Sequence, residues 1–119
     1  MASFKKRKLS SSTDGKPIKV VATETAGTTI HTAVAGTTAG TFDEIWLYAY
    51  NGHGEAVELT IEFGGATVPD QNIIMTLDAK SGLQMIVPGL ILQNGMVVKA
   101  FAGSANVITL SGWVNTITD

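Results

Sequence analysis

The sequence predicts an all-β protein: a single antiparallel β-sandwich, of jelly-roll or immunoglobulin-like type, that follows an extended basic N-terminal arm. Short runs of β-branched and aromatic residues recur about every ten residues, separated by Gly, Asn and Pro. No segment carries apolar residues at the i, i+3, i+4, i+7 spacing of an amphipathic helix over three turns. We therefore divide the chain into a flexible arm, residues 1–15, and a sandwich domain, residues 16–119.

The arm is set apart by its charge. Residues 1–19 contain six basic residues and one acid, a net charge of +5, whereas residues 20–119 contain nine acids and two lysines, a net charge of −7. A dense charge run followed by Ser and Thr predicts disorder in the free protein. We expect the arm to bind an acidic partner surface through two apolar anchors and four cations: Phe4, Leu9, Lys5, Lys6, Arg7 and Lys8.

The first strands are predicted at residues 18–23 and 28–34, both rich in β-branched residues, with a Gly/Thr/Ala loop over residues 36–41. Residues 42–50 alternate small or aliphatic side chains with Trp46, Tyr48 and Tyr50. Residues 56–63 give the clearest alternation, with one apolar face and one polar face. The apolar face is Val57, Leu59, Ile61 and Phe63, and the predicted solvent face is Glu58, Thr60 and Glu62. Because a Gly-rich turn lies between them, residues 42–63 are predicted to form a hairpin.

Further strands are predicted at residues 72–79, 83–87, 90–93, 96–102 and 107–118. Pro88-Gly89 is read as a break between two of them. Asn94-Gly95 is the strongest short hairpin signal in the chain, because both residues tolerate the positive φ of a type I′ turn. Gly112 lies inside the last predicted strand and indicates a bulge.

The composition predicts self-association. Only 15% of the residues are charged, whereas 45% are hydrophobic, and small globular chains usually carry about 25% charged residues. Either neighbouring subunits cover much of the surface, or the surface is neutral and rich in Thr, Ser and Gly. The chain has no cysteine, and no apolar run approaches the ~18 residues of a membrane span, so we expect no membrane association.

Candidate chemical groups each have a simpler structural interpretation. His31, His53 and Glu55 could bind a metal, but a packed histidine and a turn histidine are the more common situations. Glu58 and Glu62 flank Thr60 on one strand face, as expected of a solvent face, and Gly64-Gly65 lacks the Lys-Ser/Thr of a phosphate loop. The sequence therefore predicts a protein that is not an enzyme, with no catalytic, metal or cofactor-binding residue.

The aromatic side chains Trp46, Tyr48 and Tyr50 could form a sugar-stacking platform. They could equally pack across the sandwich or beneath a neighbouring subunit, and nothing in the sequence places Trp113 near them. Four cations without interleaved aromatic residues give only weak, salt-sensitive attraction to phosphates, so we do not expect a nucleic-acid partner.

In texture the chain resembles the small β-rich virion proteins of tailed bacteriophages, in particular capsid decoration or cement proteins. The resemblance is carried by residues 9–15, 27–33, 43–49 and 111–115, and it involves no signature motif. It implies a homo-oligomer, preferably a trimer, that is made in the host cytoplasm and binds the major capsid protein on the outer capsid surface. Another virion role, such as head–tail joining or a fibre base, and a glycan-binding module are the alternatives.

Overall fold

A computed structural model describes residues 2–119, and these residues form nine strands and no helix. No helix in this part of the chain is therefore long and apolar enough to cross a membrane. The strands are β1 (Ser3–Lys8), β2 (Ile18–Lys19), β3 (Thr28–Thr32), β4 (Phe42–Asn51), β5 (Val57–Phe63), β6 (Asn72–Leu77), β7 (Gln84–Leu92), β8 (Val97–Ala102) and β9 (Ile108–Thr118).

The strands form two antiparallel sheets. Sheet A has the order β1-β9-β4-β7, and the short strand β2 also pairs with β9. Sheet B has the order β3-β8-β5-β6. Because β4 occupies one edge of β9 along its length, β1 and β2 lie one after the other on the opposite edge. The all-β prediction is confirmed.

One core cluster draws side chains from both sheets. Alternate residues of β4 are buried, including Ile45, Leu47 and Ala49, and β9 contributes Ile108, Leu110 and Val114. This period-two burial is what a strand with one inward face produces. The side chains between these positions point away from the core and form the outer face of sheet A.

The predicted hairpin over residues 42–63 is wrong. β4 pairs with β7 and β9 in sheet A, whereas β5 pairs with β6 and β8 in sheet B. Residues 52–56 carry the chain from one sheet to the other. Alternation determines which face of a strand is buried, but it does not identify the neighbouring strand.

The face of β5 is predicted only in part. Val57, Leu59 and Ile61 are buried in the core, and Phe63 packs partly against it. Glu58 is exposed, but Thr60 and Glu62 are 3% and 2% exposed. The outer face of β5 is thus partly covered by other residues of the chain.

Asn94-Gly95 forms the predicted turn without the predicted hairpin. The φ values are 63° and 65°, and the Met96 N–H donates to the Gln93 carbonyl over 3.2 Å, as in a type I′ turn. The strands on either side belong to different sheets, so the turn carries the chain between layers.

Two further expectations about glycine and proline are wrong. Pro88-Gly89 does not end β7, which is an edge strand, although the β4–β7 register shifts there, from Leu90 opposite Ile45 to Pro88 opposite Trp46. Gly112 is not at a bulge, since the β4–β9 register runs past it without a shift. A Cβ at Gly112 would lie 1.9 Å from the Trp46 carbonyl oxygen. Gly112 therefore permits close approach of the two backbones.

The predicted arm is ordered against the domain. Met1 lies outside the described residues, and residues 3–8 form β1 on the edge of β9. The pairing satisfies backbone groups of residues 113–118 while the charged side chains stay exposed. Leu9, predicted as a partner-binding anchor, is instead 1% exposed and belongs to the core. Residues 3–8 are thus exposed on the edge of the sheet, and the contribution of this segment to the core begins at Leu9.

Candidate functional site

The outer face of sheet A carries most of the aromatic side chains of the chain. The register places Phe4 beside Ile117 and Ile117 beside Phe42. Further along the sheet, Trp113 lies between Lys8 and Trp46, and Tyr48 lies beside Met85 of β7. We call the outer-facing apolar residues of sheet A the aromatic face: Phe4, Phe42, Trp46, Tyr48, Tyr50, Met85, Pro88, Ile91, Trp113 and Ile117.

Three rings and one cation form the centre of this face. The ring centroids of Trp46 and Trp113 are 5.8 Å apart with an interplanar angle of 14°. Tyr48 and Trp113 are 5.9 Å apart at 23°, and the Lys6 ammonium lies 4.7 Å from the centroid of a Trp113 ring. These are the distances of offset aromatic stacking and of a cation–π contact. The cluster therefore joins β1, β9 and β4.

Glu44 is the acidic group of the aromatic face. Its Oε1 accepts hydrogen bonds from Trp46 Nε1 at 2.8 Å and from Asn115 Nδ2 at 2.9 Å. The bond from Asn115 and then the bond from Trp46 lower the pKa of Glu44, against a smaller opposing effect of burial. A carboxylate held in this way fixes the orientation of the Trp46 indole.

The predicted aromatic residues thus lie on one outward face, with Trp46, Tyr48 and Tyr50 each half-buried. Tyr50 is outside the stacked cluster, whereas Trp113 is at its centre. Sequence reasoning missed Trp113 because no local pattern states that β9 pairs with β4. The signal that could have placed Trp113 on an outer face is the alternation of residues 109, 111, 113 and 115 with buried residues of β9.

The N-terminal residues predicted to bind a partner are now placed. Phe4, Lys5, Lys6, Arg7 and Lys8 are all exposed on β1. Phe4 and Lys6 lie on the same side as the aromatic face, and Lys8 donates to the Ser12 carbonyl at 2.8 Å. β1 therefore gives the aromatic face a cationic border.

His31 is the centre of a buried polar network. Its Nδ1 accepts the Ser10 backbone N–H at 3.0 Å, so Nδ1 carries no proton and Nε2 donates to Asp43 Oδ2 at 2.7 Å. Asp43 also accepts from Thr116 Oγ1 at 2.7 Å and from the Val34 N–H at 3.2 Å. The packed interpretation of His31 is the correct one.

The network resembles a catalytic triad in composition but differs from one in connectivity. Ser10, His31 and Asp43 line a cavity of about 550 Å³ together with Arg7, Lys8 and three threonines. The histidine nitrogen that would act as base is occupied by the Ser10 backbone N–H, while the Ser10 hydroxyl accepts the Thr32 N–H at 2.8 Å. A nucleophile requires its hydroxyl on the base. This geometry instead fastens residues 10–11 to β3.

The remaining candidate groups have structural partners. The Glu62 carboxylate accepts from Thr25 Oγ1 at 2.9 Å and from the Gly27 N–H at 2.7 Å, so the prediction of a solvent-facing Glu62 is wrong. The His53 backbone N–H donates to Asn51 Oδ1 at 2.8 Å within a turn. Within residues 2–119 no group of three or more His, Cys, Asp or Glu side chains is arranged to hold a metal ion.

No family model matches the chain, and no significant match was found among curated proteins or among solved structures.

Proposed function

We propose that this chain is a non-enzymatic structural protein that attaches to a larger assembly, as a homo-oligomer, through the aromatic face. The finer architecture we propose is a β-sandwich of jelly-roll or immunoglobulin-like type. The setting we propose is the outer capsid surface of a tailed phage, with the major capsid protein as the partner and a decoration or cement role. The setting rests on the resemblance in sequence texture alone.

The exposed apolar groups of sheet A support attachment. Phe4 is 64% exposed, Ile91 56% and Met85 48%, and the register places all three on the same outer face as the half-buried Trp46 and Trp113. Large contiguous apolar patches are uncommon on monomeric proteins and mark interaction sites. Aromatic residues and Met are also enriched in interfaces, and Trp and Tyr are among the residues that most often supply the binding energy.

The dimensions of the face fit an interface. Four strands about 4.8 Å apart and about ten residues long at ~3.3 Å per residue cover on the order of 600 Å². A specific interface buries about 800 Å² on each partner, so the face, in which β1 is already counted, supplies most of the area needed. Burial of the apolar part of this area would contribute ~25 cal/mol per Å² to association, and the cost of lost motion would oppose it.

The charged groups within the face, Glu44 and Lys6, already have contacts on it. Glu44 already accepts two hydrogen bonds from the same face, and the Lys6 ammonium is already over Trp113. Burial of a polar group costs much less when its partners stay in place. The cations of β1 at the border would add salt-dependent attraction to an acidic partner.

Two matched isoleucine variants test the proposal. Ile91 lies on the aromatic face and is 56% exposed, whereas Ile74 lies on the outer face of sheet B and is 55% exposed. We expect Ile91→Asp to reduce self-association, and binding to empty phage capsids, at least tenfold, and Ile74→Asp to leave both unchanged. Light scattering and capsid co-sedimentation measure the two effects. Equal behaviour of the variants would contradict attachment through the aromatic face.

A glycan-binding role is the second candidate, and it is favoured by the position of Trp113 beside Trp46. Planar rings on a sheet surface can stack on sugar rings. Lys6 lies over Trp113, so a sugar on that ring would displace a cation. Titration with fragments of host surface polysaccharide, followed by tryptophan emission, tests this. Saturable quenching that is lost in Trp113→Ala would favour glycan binding, and an unchanged spectrum would exclude these fragments as ligands.

A further inference from the structure

The cavity that contains the His31 network lies between the two sheets, next to β1. Its volume is about 550 Å³, within the range of about 300–1,000 Å³ that small-molecule sites occupy. Strands β1, β4 and β9 of sheet A contribute to its wall, together with β3 of sheet B and residue 10. The position and size of the cavity therefore allow a small molecule to contact both sheets at once.

Arg7 is the cation that faces this cavity. The register pairs Arg7 with Val114, whose side chain is in the core, so Arg7 lies on the inner side of sheet A. Among residues 2–119 the only ion pair joins His31 to Asp43, which leaves Arg7 without an acidic partner in that part of the chain. A guanidinium carries five N–H donors in a planar fork that matches two oxygens of a carboxylate or phosphate. Arg7 therefore offers an anion contact that the described residues do not use.

Two hydroxyl groups add further donors to the same wall. Ser10 Oγ accepts the Thr32 N–H at 2.8 Å, and its own proton has no acceptor among the described residues. The hydroxyl of Thr32, an exposed residue at the end of β3, is likewise without a hydrogen bond within residues 2–119. A hydroxyl can donate one hydrogen bond, and an oxyanion can only accept them. The donors in this wall are therefore complementary to an oxyanion.

Asp43 is the one lining residue that opposes an anion. Its carboxylate accepts hydrogen bonds from His31 Nε2, from the Val34 N–H and from Thr116 Oγ1, and its side chain is 4% exposed. Donors of this kind stabilise the charged form and offset part of its field. The surface of the cavity therefore presents the guanidinium and the two hydroxyls to a ligand, and the carboxylate stays behind its own partners.

We propose that this cavity binds the oxyanion group of a small molecule, either a phosphate or a carboxylate. Arg7 makes the bidentate contact, and the hydroxyls of Ser10 and Thr32 donate to the same group. The bound molecule connects β1 to β3 across the gap between the sheets and thereby stabilises the folded chain. The proposal does not rest on attachment through the aromatic face, because Phe4 and Lys6 lie on the other side of β1.

Titration of the full-length chain with inorganic phosphate, and separately with acetate, tests the proposal. The pH and the ionic strength are held constant with sodium chloride, and the amide signals of Ser10 and Thr32 are followed by NMR. We expect saturable shifts, with an affinity that falls at least about tenfold in Arg7→Gln. Lys5→Gln is the matched control, because Lys5 is exposed on the same side of the same strand but does not line the cavity. This control should change the affinity by less than about twofold.

A second pair of variants tests the hydroxyl contact without changing the charge. Thr32→Val should weaken binding, whereas Thr29→Val should not, because Thr29 is exposed on the same strand but outside the cavity wall. Saturation by only one of the two anions would identify the group that the cavity takes. Failure of both anions to saturate would overturn the proposal. Equal affinities of Arg7→Gln and Lys5→Gln would also overturn it, since the anion would then follow the general charge of β1.

Discussion

The two sheets expose outer faces of opposite character, and in both cases the local sequence is misleading. The outer face of sheet A presents Trp46, Tyr48 and Trp113, large aromatic side chains of the kind that usually pack in a protein core. In sheet B the outer face of β5 has a polar sequence, yet Glu62 on it is buried and accepts hydrogen bonds from residues 25 and 27. Burial of an outward-pointing side chain therefore depends on which other segments of the chain cover it. No such segment covers the three stacked rings of sheet A completely, and they remain half-buried.

The largest loss of stability is expected from a substitution at Gly112, where the backbones of β9 and β4 approach each other. Gly112→Ala places a Cβ 1.9 Å from the Trp46 carbonyl oxygen, so β9 and β4 must separate. We expect a loss of about 3 kcal/mol in the free energy of unfolding. Gly54→Ala is the control, because a Cβ at Gly54 has no heavy atom within 4 Å. Thermal melts that show equal stability for both variants would disprove the close approach of the two strands.

A second effect distinguishes the two glutamates of β5. Glu62→Ala leaves the Gly27 N–H and the Thr25 hydroxyl without their acceptor, and we expect a loss of about 2 kcal/mol. Glu58→Ala alters an exposed residue of the same strand face and should change stability by less than about 0.5 kcal/mol. Denaturant unfolding measures both. Equal losses of stability in the two variants would show that the hydrogen bonds accepted by Glu62 do not stabilise the fold.

The smallest effect concerns the pH response of the aromatic face. The pKa of Glu44 is lowered by its bonds from Asn115 and Trp46, so the folded protein keeps this carboxyl charged to lower pH than the unfolded chain. The stabilisation is therefore fully present above the unfolded pKa and is lost as the pH falls through the folded pKa. Subtracting the pH profile of Glu44→Gln from that of the parent, by tryptophan emission, should leave a step on the acid side of the ordinary glutamate range. A flat difference would show that Glu44 does not hold Trp46.

Patterns within one strand gave the all-β class and most of the buried faces. The alternation in residues 57–61 identified the core side chains Val57, Leu59 and Ile61 correctly. The pairing of strands was not predictable in this way. Asn94-Gly95 forms its turn, but the turn joins two sheets, because turn chemistry sets local backbone angles and not the path of the strands beyond.

The candidate site was predicted only in part, because local sequence patterns do not show which strands pair. Trp46 and Tyr48 were visible as one face of a strand, but their neighbour Trp113 comes from a strand more than sixty positions later. His31, Asp43 and Ser10 meet only after β3, β4 and the segment following β1 are assembled. Leu9 was assigned to a partner surface because its neighbours are charged and polar, although the fold places it in the core.

The pairing of the first strand with the last has a consequence for synthesis. β9 is the central partner of β1, β2 and β4, and it is synthesised after all three of them. Until then sheet A lacks the strand that joins its parts, and the apolar side of β4 has no neighbour from the C-terminus. Folds dominated by such distant strand pairings form slowly, and their unpaired strand edges are prone to aggregation until folding is complete. Once β9 is in place, β1 becomes an edge of sheet A, and its four consecutive cations oppose pairing of that edge with a further strand.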